Sequence, residues 1–135
     1  MLGSLALLQG KPDTAIESLE HALALHQRIG SPSGTAYTFA HQVALLTVAD
    51  PEMAWGTMQR GLEIAERAAI RDHCIMMMHT AGIWNRLTVP DLASAAELVR
   101  TAAQHDTEAA PCAICTVDRH AAIAVSYTHL TLPTN

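Results

Sequence analysis

Apolar residues recur along this chain at helical spacing, and the runs break where Gly and Pro coincide with helix-start chemistry. Gly10-Lys11-Pro12-Asp13 closes one helix and opens the next, with Gly suited to a left-handed cap and Pro to a first turn. Ser31-Pro32-Ser33-Gly34 separates a second helix from a third. Asp50-Pro51-Glu52 supplies a capping carboxylate, a first-turn Pro and a first-turn acid, and Val89-Pro90-Asp91 marks a further start. Ala15, Ile16, Leu19, Ala22 and Leu23 share one side of one segment, and Ala54, Met58, Leu62 and Ala65 share one side of another. The pattern predicts helices over roughly 2–9, 12–28, 33–48, 51–69, 71–87, 91–105 and 113–124, about seven in all, with no strand.

The helices repeat as pairs. When LLQGKPDTAIESLEHAL is set beside LTVADPEMAWGTMQRGL, Pro12 meets Pro51, Ala15 meets Ala54, Leu19 meets Met58 and Leu23 meets Leu62, always 39 positions apart. A weaker third copy has Pro90-Asp91 at the same place, followed by Ala95, Val99 and Ala102. Small residues at these points let two helix backbones approach, and a large side chain one turn on fills the gap.

Composition narrows the picture. A chain of 135 residues, half hydrophobic and 16% charged, suits one packed domain. Its net charge of -5 gives no diffuse attraction for phosphate backbones or anionic lipid, so direct nucleic-acid contact and membrane binding are not expected. Three cysteines do not make a secreted disulfide framework, and a reducing, cytoplasmic setting is the simpler expectation.

The first unit resembles the tetratricopeptide repeat (TPR). Leu2-Gly3 stand at that family's Leu-Gly pair and Gly10 at its turn, while Ala15, Leu19 and Ala22 stand at its second-helix positions. Unit two has His41-Gln42 where Leu-Gly belongs, with Leu45 at the next large position; unit three keeps Ala81 and Trp84. The resemblance implies an all-α, TPR-like α-solenoid of stacked antiparallel hairpins, with units at about 1–30, 31–70 and 71–106. It also implies a first helix that begins before Met1. The 39-residue units and the segment AAPCAICTVDRHAAIA look similar to the helical arrays of large ATP-binding transcriptional regulators of the LuxR type. Residues Val125 to Asn135, VSYTHLTLPTN, resemble a translated transposase-end sequencing adapter, so the native fragment is expected to be 1–124, cut at both ends.

The TPR resemblance implies a non-catalytic module for protein–protein interaction, or a regulatory scaffold. Its groove positions transfer to Ala36, Phe39, Val43 and Leu46 in unit two and to Ile75, Met78, Asn85 and Arg86 in unit three. These suit a protein or peptide partner with an apolar segment. The Lys and Asn of a carboxylate clamp are absent from units one and two, which disfavours acidic chaperone tails. Without capping helices, the ends are expected to self-associate. A different class of function is a small-molecule-sensing or coupling segment of a bacterial transcriptional regulator, its ligand lying near Phe39, Met78 and Trp84.

Other chemistry is thin. Cys112 and Cys115 are spaced as half a zinc site and His120 follows, but a closed site needs four ligands and Val125 occupies the next expected place. On a helix both thiols lie near one face, where cysteine packs as a small apolar residue. Met76-Met77-Met78 point about 100° apart on a helix and cannot form one ligand set. No Ser stands in a nucleophile elbow beside a base, so neither catalysis nor a cofactor is expected.

Overall fold

The computed structural model describes residues 2–70, 73–105 and 120–128. Among these, all regular structure is helical: α1 (Leu2–Leu8), α2 (Pro12–Arg28), α3 (Pro32–Ala49), α4 (Pro51–Arg67), α5 (His73–Thr88) and α6 (Leu92–His105). A further helical stretch covers 120–128. It stands where the seventh helix is expected, but runs past the expected break at Ala124. Ser126 is buried and donates to the Ala122 carbonyl at 2.8 Å, and Thr128 donates to that of Ala124 at 3.0 Å. Hydroxyls that return to the carbonyl four residues back let this polar sequence stay in the helix. No described helix is long and apolar enough to cross a membrane.

The starts follow the capping chemistry. The Ser31 hydroxyl accepts from the Gly34 N–H at 3.2 Å, Asp50 accepts from the Met53 N–H at 3.0 Å, and Asp91 accepts from that of Ser94 at 3.2 Å. Pro32 and Pro51 sit in the first turns of α3 and α4, where no N–H is needed. Asp50 alone separates α3 from α4 and caps both, its own N–H donating to the Leu46 carbonyl at 2.7 Å.

The stops repeat as well. At the end of α2 the Ser31 N–H returns to the His26 carbonyl and the Gly30 N–H to that of Gln27. At the end of α4 the Ile70 N–H returns to Ala65 and the Ala69 N–H to Glu66. Both are Schellman turns, 39 positions apart. The residue that must turn left-handed is Gly30 in the first (φ 67°) and Ala69 in the second (φ 52°). This is why α4 ends at Arg67 and not at 69 as the sequence pattern suggests. Buried Ile70 then packs over the turn.

Consecutive helices pack on one another, and α3 also packs on α5. Glycines set how closely they approach. A methyl group at Gly61 of α4 would lie 2.6 Å from the Met78 sulfur of α5 and 3.0 Å from the Phe39 Cβ of α3. One at Gly3 would lie 2.9 Å from Leu19 Cγ. Ala36, Phe39, Val43, Met58, Met78 and Ile83 form the main core around these crossings. A smaller cluster joins Ala6, Ala15, Leu19 and Leu45.

Charge is divided between the helices. α3 carries no Asp, Glu, Lys or Arg, and α5 carries only Arg86. The charged side chains lie on α2, α4 and α6, whose opposite faces are apolar. Helices α3 and α5 are therefore the central pair, and α2, α4 and α6 present a polar side to water.

Ala69 is the strained cap. Ala69→Gly is expected to raise unfolding free energy by about 1 kcal/mol, because a left-handed Ala costs about that much. Gly30→Ala meets open space and should lose a similar amount through the backbone alone. Urea denaturation of the two variants checks the pair, and a gain for neither Ala69→Gly nor a loss for Gly30→Ala would contradict it.

Candidate functional site

The open side of the α3–α5 pair depends on how α5 is held. Asn85 and Arg86, near its end, are both buried. The Asn85 amide donates to the Pro51 carbonyl at 2.8 Å, and its own oxygen accepts from Arg86 Nε at 2.8 Å. Arg86 Nη2 donates to Glu52 at 3.1 Å, Nη1 lies 3.6 Å from the Asp91 carboxylate, and the guanidinium stacks 4.3 Å from the Trp55 ring centre. One cation thus joins the start of α4, the end of α5 and the cap of α6. The Asp91 carboxyl is held below its ordinary value of 3.8, first by the hydrogen bonds from Ser94 and then by the Arg86 charge.

With α5 fixed in this way, one stripe of α3 is left facing outward: Tyr37, His41, Ala44 and Val48, with Ala44 and Val48 exposed and His41 half-buried. On α5 the positions 40 residues on are Met77, Ala81, Trp84 and Thr88; the first three are half-buried against the core, and Thr88 is exposed. On α1, Leu5 and Leu8 are exposed, and Leu8 stands near His41 and Ala44 of α3. A hollow of about 220 Å³ opens among Leu8, His41 and Ala44, above Ala15 and Leu19. The Tyr37 and His41 rings meet edge to face with centroids 4.5 Å apart. No Asp, Glu, Lys or Arg stands among the residues of the stripes.

The groove residues expected from sequence do not lie on these stripes, although Phe39 and Leu46 line a separate cleft between α2 and α4. Ala36, Phe39, Val43 and Met78 are packed between helices, Leu46 and Ile75 are half-buried, and Asn85 and Arg86 bind the start of α4. The outward stripe of α3 (37, 41, 44 and 48) lies one or two positions on from the expected one (36, 39, 43 and 46), a rotation of about 150°. The apolar stripe with the larger side chains is the one that hydrophobic burial draws inward. The suggested ligand place near Phe39, Met78 and Trp84 is tightly packed where Phe39 and Met78 close around Gly61. Trp84 is half-buried on α5. Cys112 and Cys115 lie outside the described residues, and His120 is exposed at the start of the last helical stretch. No group of three or more His, Cys, Asp or Glu comes together among the described residues. No family model, no curated protein and no solved structure matches the chain.

The outward stripe was missed by a reading that looked only for apolar periodicity. The absence of Asp, Glu, Lys and Arg from all of Pro32–Ala49 marks α3 as a central helix but does not tell which of its faces is left uncovered.

Arg86→Met is expected to lower stability by about 2–3 kcal/mol, because it removes the donor to Asn85 and leaves that buried amide oxygen unpaired. The lowered folded-state pKa of Asp91 means that its contribution is complete above about pH 4 and is lost as pH falls further. Asp91→Asn should accordingly be less stable near neutral pH and lose less on acidification. Chemical denaturation at about pH 6 and about pH 3 tests the sign; an Asp91→Asn variant with an unchanged acid limb would contradict it.

Proposed function

We propose that the chain is a TPR-like array of stacked helix hairpins that acts as a non-catalytic, cytoplasmic interaction or regulatory scaffold module. Its partner docks on the outward stripes of α3 and α5. The observation that carries this reading is the exposed side of Tyr37, Ala44 and Val48 on α3, with half-buried Met77 and Trp84 at the same register 40 positions on in α5, while the charges lie on α2, α4 and α6. The matched Schellman turns at Gly30 and Ala69, and the contact of α3 with both α4 and α5, support the stacked-pair arrangement.

Such a surface suits the apolar side of a partner's helix or extended segment. Association would be driven by burial of apolar area, with shape and not charge pairing setting specificity. Val48, almost fully exposed at 89%, and Leu8, at 86%, are the side chains with most to gain from being covered.

A photo-crosslinking residue placed at Ala44 tests the proposal in the cell of origin, with one at exposed Glu63 on α4 as the control. The expected result is a discrete protein adduct from position 44, lost on adding Val48→Glu, and none from position 63. Equal labelling from both positions, or an adduct indifferent to Val48→Glu, would remove the basis for the docking face.

A further inference from the structure

Behind the central pair, α2 and α4 stand apart and leave a cleft of about 390 Å³ whose floor is α3. Phe39, Leu46 and Leu23 give it an apolar lining, with the Gln42 amide on the floor. Arg60 stands on the α4 wall, and Glu20 is the acid of the α2 wall. The size and the balance of apolar lining with a few polar groups are those of a small-molecule site.

Arg60, like Arg28 at the end of α2, has no acid partner among the described residues, but Arg60 alone of the two lines this cleft. Arg67 pairs with Glu63, Arg86 with Glu52 and Asp91, and Arg100 with Glu97. Arg60 instead donates to the Thr57 hydroxyl at 3.4 Å, and its guanidinium carbon lies 6.0 Å from the centre of the Phe39 ring. Among the described residues no carboxylate lies within ion-pair distance of it, Glu20 included. A cation held at the wall of an apolar cleft, with its fork of donors uncommitted to an acid, is complementary to a carboxylate that carries a hydrocarbon tail.

We propose that the cleft between α2 and α4 binds an apolar monocarboxylate, with the carboxylate on Arg60 and the tail over Phe39, Leu46 and Leu23. The site lies between different helices from the uncharged stripes and stands independently of the docking proposal. Glu20 disfavours the reverse orientation, with the carboxylate toward α2, and so fixes which way the ligand lies.

The test is an amide NMR titration of the full chain with octanoate below its micelle concentration, compared with octan-1-ol and octylammonium. Octanoate should shift the amides around Phe39, Leu46 and Arg60 saturably and bind about fivefold more tightly than the alcohol, as one exposed charge pair allows. Arg60→Gln should bring octanoate down to the alcohol's affinity, and Glu20→Gln should leave the preference for octanoate intact or enlarge it. Both side chains are exposed, so neither change threatens the fold. Equal binding of octanoate and octanol by the unaltered chain, a preference that survives Arg60→Gln, or shifts confined to other helices would each overturn the proposal.

Discussion

A single buried guanidinium governs how the second half of the molecule sits on the first. Arg86 is brought out of water by contacts that each satisfy part of it: the Asn85 oxygen, Glu52, Asp91 and the face of Trp55. Removing a cation from water costs several kcal/mol, and only a nearly complete set of partners offsets that cost. Those partners come from α4, α5 and the turn before α6, so the arrangement forms only when all three elements are in place. The Asn85 amide adds a bond to the Pro51 carbonyl, fixing the end of α5 against the first turn of α4. Steric fit at Gly61 sets the spacing further along the same interface, where Met78 and Phe39 occupy the room a side chain would need.

From this constraint follows the division of the surface. Central helices covered on several sides have little need of charge, and α3 has none. The flanking helices α2, α4 and α6 keep one apolar side inward and turn their acids and bases to solvent. What α3 and α5 leave uncovered is therefore an uncharged strip, whereas what α2 and α4 leave between them is a cleft with charged walls. These surfaces differ in kind because the helices that form them do, and the occupants proposed for them differ accordingly.

Much of the fold was legible in the sequence because its punctuation is local. Ser31, Asp50 and Asp91 cap helices as their positions suggest, and the Ala15–Ala54 offset reappears as matched turns at Gly30 and Ala69. Local rules failed where the outcome depends on distant partners. Ala69 does not look like a left-handed cap, so the end of α4 was placed two residues late. Asn85 and Arg86 read as polar groups on a groove because Pro51 and Glu52, more than thirty positions away, are invisible to a helical pattern. The outward stripe of α3 differs from the expected groove positions for a related reason. When a helix is apolar on nearly every side, periodicity no longer tells which face is packed, and only the neighbours decide between Val43 and Ala44.

The central claim is that α3 turns the Ala44–Val48 stripe outward and the Ala40–Val43 stripe inward. A cysteine scan of α3 tests it most directly, in a background where Cys74, Cys112 and Cys115 are replaced by Ser or Ala. Thiols placed at 44 and 48 should react with a small alkylating reagent at close to the rate of the unfolded chain. Thiols at 40 and 43 should react roughly tenfold or more slowly, because reagent reaches them only through opening of the core. Fast labelling at 40 and 43 with protection at 44 and 48 would contradict the account, since it would place the packed face of α3 on the other side.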